Sequence, residues 1–318
     1  METLRILHID NYSDVANQIA AGQRALGHEA HVIQTWHDPD DHEVNFENYY
    51  DGNFLVNSYR KFKTFRLAKD YDVVHVHGGI YPYRVDNILI GLMGRPFVVH
   101  YHGSETRLGG GMWLKDYLPW AKVVATPDLL RWHPDAEFIP NPYSSPMQEQ
   151  DWEDAEDLRI LHAPTKRRIK GTDKVLGSVE MLRARSVRLD FRLLENVTNR
   201  QLLEEMSRSH IIVDWISDER ETGISGIFGM TSLEAMNLGR MAVAYLSPET
   251  IKAYPEGLPV VSPSAPSAVA LADLLEGYLS DHDAVRSAGK TGRSYVRRHL
   301  NPEEIAKRHI ELYHKIQQ

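Results

Sequence analysis

The feature that most constrains this chain is an alternation of short apolar, β-rich runs with helix-spaced segments, which proceeds to a break and then starts again. Residues 4–9, 30–34, 73–76, 96–101, 123–126 and 137–139 are short, mainly apolar, β-rich runs, the pattern of buried strands. Residues 14–26 between the first two carry helical spacing, and Gly27 stops them. Strands alternating with helices imply a parallel sheet wrapped by helices, so the chain reads as α/β.

The break is the cluster Pro140-Asn-Pro-Tyr-Ser-Ser-Pro, followed by an acidic polar stretch at 148–157. The pattern restarts with a strand at 158–162. A helix at 174–185, a strand at 190–194, a helix at 200–209, a strand at 211–215, a helix at 231–238 and strands at 241–245 and 260–262 follow. Residues 301–316 form a closing helix, with Asn301 as cap, Pro302 in the first turn, and Glu303 and Glu304 at the positive end. A length of 318 residues suits two such halves.

Bulk chemistry removes several function classes. A formal net charge of −8 weighs against nucleic-acid binding. The absence of cysteine excludes disulfides, thiolate catalysis and cysteine-ligated zinc. No apolar run is long enough to span a bilayer, and the first residues read as a strand and not a signal peptide, so a cytoplasmic location is expected. The 16 histidines show no helical metal spacing and are expected to be mostly surface or core residues.

Ligands of open α/β sheets bind beyond the carboxyl ends of the strands. There the chain places Asn11 to Asp14, His77-Gly-Gly, His102-Gly-Ser-Glu and the basic turn 165–171. Two such half-sites imply a cleft between domains. The run Gly223-Ile-Ser-Gly-Ile-Phe-Gly-Met-Thr-Ser-Leu-Glu-Ala-Met reads as a glycine-rich turn entering a helix, whose leading N–H groups suit a phosphate. Glu234 lies about one turn in, within reach of a sugar hydroxyl. A dehydrogenase fits poorly, because the first strand is followed by Asp10-Asn-Tyr-Ser-Asp and not by Gly-x-Gly-x-x-Gly.

In this order, Asp72-Val-Val-His-Val-His-Gly, Val98-Val-His-Tyr-His-Gly-Ser-Glu, Phe138-Ile-Pro-Asn-Pro, Leu161-His-Ala-Pro-Thr-Lys-Arg-Arg-Ile-Lys-Gly-Thr-Asp and Phe228-Gly-Met-Thr-Ser-Leu-Glu-Ala-Met-Asn-Leu-Gly resemble the GT-B glycosyltransferases, and among them the retaining, family 4 type. The resemblance covers nearly the whole chain. It implies a GT-B architecture of two Rossmann-like domains: residues 1–147 on the acceptor side, residues 148–300 binding the nucleotide sugar, and 301–318 returning to the N-terminal domain. It implies transfer of a sugar from a nucleoside-diphosphate sugar to a glycan, lipid-linked or small-molecule acceptor, of the kind used in polysaccharide biosynthesis, with retention and with neither metal nor cofactor. One departure stands out. The family usually carries two glutamates eight positions apart; Glu234 matches the second, and Gly226 stands at the first.

The resemblance assigns roles residue by residue. Arg167 and Lys170 take the donor diphosphate, with Lys166 beside them; Gly229, Met230 and Thr231 offer backbone N–H groups; Glu234 holds the ribose. Fixed cations and amides can stabilise a diphosphate leaving group without a metal. The plain alternative for the cations is a solvated turn, and for Glu234 a first-turn carboxylate complementing the helix dipole. His102 is placed near the transferred sugar, with Glu105 touching the acceptor or orienting His102. A satisfied buried histidine is the alternative for His102, and the expectation for His100. Asn11 and Ser13 face the donor phosphate or acceptor, with a cap of the following helix as the alternative for Ser13. Glu195 lies where backbone contacts to the base are expected. Asp38-Pro-Asp and Asp281-His-Asp read as loop and helix-start residues and not as a metal motif.

The stretch from Tyr59 to Lys69 is basic and aromatic at near-helical spacing. It reads either as a packed helix with solvated lysines or as a peripheral contact to the inner face of a membrane. Trp113 and Trp120 line an acceptor channel or simply pack. Two other functions fit the same fold: a non-catalytic scaffold binding a nucleotide or glycan, for which Gly226 speaks, and a nucleotide-sugar epimerase or phosphorylase-like enzyme, for which no acid–base set is apparent.

Overall fold

The computed structural model describes residues 2–37, 42–78, 84–107, 118–145, 147, 155–224 and 226–318. Asp38-Pro-Asp, Trp113 and most of the acidic stretch after Pro146 lie outside the described residues. The chain divides into two compact units, Met1–Pro142 with Leu300–Gln318, and Tyr143–His299. The first division falls inside the proline cluster.

Unit 1 is built on strands β1 (Arg5–Ile9), β2 (Glu29–Gln34), β3 (Phe46–Glu47), β4 (Val73–His77), β5 (Phe97–Tyr101), β6 (Ala121–Val124) and β7 (Glu137–Phe138). Among the described residues they form one sheet in the order β3-β2-β1-β4-β5-β6-β7, and every pairing is parallel. Helices α1 (Val15–Ala25), α2 (Phe54–Ala68), α3 (Val85–Gly91) and the short α4 (Ser104–Arg107) connect them. One face of the sheet packs its apolar side chains, among them Leu7, Val74, Val76 and Val99, into a hydrophobic core. Strand order reverses between β1 and β4, the switch point of the doubly wound pattern.

Unit 2 repeats the scheme with β8 (Arg159–His162), β9 (Asp190–Leu193), β10 (Ile211–Val213) and β11 (Met241–Val243), ordered β11-β10-β8-β9 and parallel throughout. Val261 adds an isolated bridge to Val243, where a final short strand is expected from the sequence. The helices are α5 (Arg167–Lys170), α6 (Thr172–Ala184), α7 (Asn199–Ser207), α8 (Glu219–Thr222), α9 (Met230–Asn237), α10 (Pro248–Ala253), α11 (Ala268–Leu279) and α12 (His282–His299). The last two occupy a stretch where no element is assigned from the sequence. Here the switch point lies between β8 and β10.

The closing helix α13 (Pro302–Gln317) is capped by Asn301, whose Oδ1 accepts the Glu304 N–H at 3.0 Å. It packs on α1 within unit 1, burying Ile305, Ala306, Ile310, Leu312 and Tyr313. Gly22 makes this approach possible: a Cβ there would strike the Pro302 carbonyl oxygen and lie 2.9 Å from the Ala306 Cβ.

Candidate functional site

The basic turn after β8 and the end of β10 meet at the switch point of unit 2. Lys170, only 6% exposed, forms an ion pair with Asp214 Oδ1. The other carboxylate oxygen accepts the Gly229 N–H at 2.9 Å and the Ser232 hydroxyl at 2.8 Å. One carboxylate thus ties the lysine ammonium to the entrance of α9. The ammonium also lies 4.6 Å from the centre of the Trp215 ring, a favourable cation–π position. Asp214 follows directly on the buried β10, which fixes its height at the strand end.

Helix α9 enters through Gly229, whose extended backbone stands at the N-cap. The N–H of Ser232 is the first to bond back, to the Gly229 carbonyl at 3.1 Å. Met230 and Thr231 therefore head the helix ahead of its own hydrogen-bond ladder, where the partial positive charge concentrates. The Gly229 N–H is not among the groups available to a ligand, since Asp214 takes it. Glu234, 5% exposed, accepts a hydrogen bond from Asn199 Nδ2 at 2.8 Å, which fixes its carboxylate against the start of α7. His162, at the end of β8, is held by the Val213 carbonyl at 2.8 Å and the Thr172 hydroxyl at 2.9 Å, and burial lowers its pKa to about 4.

Arg167 points to a different partner. Its guanidinium forks onto Glu195, Nε to Oε1 at 2.8 Å and Nη2 to Oε2 at 2.5 Å, on the exposed surface. Glu195 holds Arg167 above its ordinary pKa range, and Arg167 in turn lowers the carboxyl. Arg168 donates to the Glu221 carbonyl at 2.9 Å, and Lys166 is exposed at the cap of α5. Of the basic turn, Lys170 alone is built into the switch point.

Gly226 is more than a missing carboxylate. Its φ is +33°, its carbonyl accepts the Ser247 N–H at 2.9 Å, and a Cβ at this position would strike Ser247 N and lie 2.9 Å from the Leu246 carbonyl carbon. The backbone here occupies the space a glutamate side chain would need to leave from.

In unit 1 the loop after β1 is structural. Asn11 Oδ1 accepts the N–H groups of Ala16 at 3.0 Å and Asn17 at 3.3 Å, so Asn11 caps α1. Ser13 is exposed with φ +49° and takes no part in that cap. Asp10 is buried and bonded to Arg84 at 2.7 Å and to the Thr35 hydroxyl at 2.6 Å. Glu105 accepts the backbone N–H groups of His102 and, at 3.1 Å, Gly103; it shapes the turn that carries His102. Asp281 likewise accepts the Ala284 N–H at 2.9 Å, the helix-start role expected for it.

His102 belongs to a larger group that the sequence does not announce. Strand periodicity places His75 and His77 on one face of β4 and His100 on the matching face of β5, with His102 just beyond the end of that strand. His8 pairs with His75 in register, and His309 of α13 covers them. The ring of His77 stacks on His75 at 4.7 Å and on His102 at 5.2 Å. Burial lowers the pKa of His8 and His102 to about 4, with Glu105 opposing the shift at His102, and holds His75, His77, His100 and His309 well below the ordinary value. His100 is buried as expected but not satisfied: neither ring nitrogen has a hydrogen-bond partner. Five histidines thus gather on one sheet face, with His309 of α13 beside them, as part of the interior.

Comparison with known proteins bears on both units. Residues 14–132 match the family model Glycosyltransferase Family 4. No curated protein sequence matches the chain. Among solved structures, Anabaena HepE in complex with UDP and glucose aligns over 98% of this chain and 100% of its own, at 12% identity and a TM-score of 0.67. An α-glucosyltransferase in complex with UDP and a DNA containing an HMU base aligns over 99% and 100%, at 11% identity and 0.70. The catalytic domain of starch synthase IV from Arabidopsis thaliana, bound to ADP and acarbose, aligns over 100% of both chains at 11% identity and 0.67. The chain has the fold of the GT-B glycosyltransferases, and its residues 14–132 carry the family 4 glycosyltransferase match.

Proposed function

We propose that this protein is a glycosyltransferase that takes a sugar from a nucleoside-diphosphate sugar, with the diphosphate held in unit 2 at the β8/β10 switch point. The observation that carries the reading is the Lys170–Asp214 pair bonded to the entrance of α9, with Glu234 one turn further on. Asp214 balances the charge of the Lys170 ammonium, so the positive field that favours the charge developing on a departing diphosphate is that of the head of α9, which the pair holds in place. Met230 and Thr231 supply amides, and Glu234 accepts the ribose hydroxyls. Arg167 reaches phosphate by exchanging its exposed Glu195 partner, an exchange with little cost for a surface ion pair. HepE and the α-glucosyltransferase are seen with UDP and starch synthase IV with ADP, consistent with a nucleoside-diphosphate donor here. His102, set in its turn by Glu105, is the unit 1 residue assigned to the sugar. Transfer proceeds with retention, and no metal is assigned to the donor. The acceptor is a glycan, a lipid-linked molecule or a small molecule.

Calorimetric titration with UDP, GDP and ADP tests the reading. One nucleotide is expected to bind, and Glu234→Ala to weaken it by roughly tenfold or more, the worth of a charge-assisted hydrogen bond. Binding of none of the three, or binding unaffected by Glu234→Ala, overturns it. A second reading, a non-catalytic nucleotide-binding scaffold, is favoured by the backbone at Gly226; donor binding without transfer or hydrolysis across an acceptor panel would select it.

A further inference from the structure

We propose that His8, His75 and His77 form a site for a transition-metal ion of the zinc type, buried in unit 1 beneath α13. This inference is independent of the donor site and asks nothing of the ion in sugar transfer.

Ligand nitrogens of the three imidazoles lie within 4.8 Å of one another. Each ring has a nitrogen turned outward to a partner of its own. His8 Nε2 meets Gln23 Oε1 at 2.8 Å, His75 Nδ1 meets the Tyr313 hydroxyl at 2.5 Å, and His77 Nδ1 meets His102 Nε2 at 3.0 Å. Gln23 in turn donates to Tyr313 at 3.3 Å. Metal-bound histidines characteristically spend their second nitrogen this way, which fixes the tautomer and aims the ring. The inner nitrogens that remain are His8 Nδ1, His75 Nε2 and His77 Nε2.

Hydrogen bonding alone does not account for them. A neutral imidazole has one donor and one acceptor. Because the Gln23 carbonyl must accept from His8 Nε2, His8 Nδ1 carries a lone pair, and His77 Nε2, 3.0 Å away, can donate to it. His75 Nε2 is then left buried with no partner, and both nitrogens of His100 beside it are in the same position. A buried polar atom without a partner costs about 1–3 kcal/mol. An ion gathers the three inner lone pairs at once. His77 then carries its proton on Nδ1 and donates to His102 Nε2, while the His102 proton moves to Nδ1; no net proton is lost. His100, its ring 5.3 Å from His75 and 5.2 Å from His77, groups with His77 and His102 and not with this trio. An all-imidazole set suits Zn(II), Cu, Ni or Co(II) over Mg or Ca.

The test uses the untagged full chain, stripped with chelator and titrated with Zn(II) and Co(II). About one ion per chain is expected, with the visible absorption of a low-coordinate Co(II)–imidazole site and a rise in Tm on loading. His75→Gln and His77→Gln should weaken binding by more than about 100-fold, and Gln23→Leu, which removes the outer partner of His8 and a bond to the Tyr313 hydroxyl behind His75, by roughly 10–100-fold. His282→Gln on the surface should leave it unchanged. Stoichiometry well below one, or binding equal in wild type and both histidine variants, overturns the site. Should those variants fail to fold, anomalous diffraction from Co(II)-loaded wild-type crystals decides: a peak among His8, His75 and His77 supports it, and a peak elsewhere or none rejects it.

Discussion

Gly226 stands where the family resemblance places a carboxylate, and the structure makes that difference a property of the backbone. Restoring the side chain should therefore restore nothing. Gly226→Glu is expected to destabilise unit 2 by roughly 2–5 kcal/mol, from left-handed strain and collision with the Ser247 and Leu246 backbone, with no gain in donor affinity. Denaturant melts beside donor titration check both parts; a folded variant with tighter donor binding would refute the account. At this scale the sequence was informative about charges and silent about their partners. Lys170 is legible as a cation at a strand end. Asp214 is not, because a carboxylate after a three-residue strand looks like any surface residue until β8 and β10 lie side by side. Asn199, 35 positions from Glu234, is hidden for the same reason. Arg167 illustrates the converse: its exposed Glu195 partner follows β9, the strand that pairs with β8 on the side away from β10.

Among elements, α2 departs furthest from a simple packed helix. Only Thr64 and Ala68 are buried along it, whereas Phe54 is 83% exposed, Leu55 76% and Tyr59 69%. Leu55, Tyr59, Phe62 and Arg66 recur at helical spacing as one stripe, with Lys61, Lys63 and Lys69 close in sequence. Such a face suits an anionic bilayer surface. Vesicles containing phosphatidylserine should retain the protein in flotation and neutral vesicles should not, and Leu55→Glu with Phe62→Glu should lower partitioning by at least about tenfold. Equal retention on neutral vesicles would remove the electrostatic part of this reading, and no retention on either would remove all of it. The strands buried on both faces are legible from sequence because short, mainly apolar, β-branched runs leave few alternatives. The two-residue β3 and the four-residue α5 and α8 are not, since elements so short are held by tertiary contacts and carry no period of their own.

For the molecule as a whole, the restart of the β/α alternation displays two units, whereas the return of the last helix to the first unit is implied by the family resemblance and not by the residues of that helix. The packing of α13 on α1 makes that return through Gly22. Burial of Ile305, Ile310, Leu312 and Tyr313 at about 1.5–3 kcal/mol each rivals the ~5–15 kcal/mol net stability of an ordinary domain. Residues 1–142 alone should thus lack a cooperative thermal transition and regain it when 300–318 is supplied as a peptide, while 143–299 alone should melt cooperatively. Circular dichroism of the three preparations measures this, and a cooperative transition in 1–142 without the peptide would contradict it.

The same packing sets an order of events during translation. Residues 1–142 leave the ribosome long before the segment that covers the histidine face of their sheet has been made. The intervening 143–299 take about 10–30 s to polymerise at ~5–20 residues per second. For that interval the nascent sheet presents an uncovered face to any chaperone at the ribosome, and the half translated first is the half finished last.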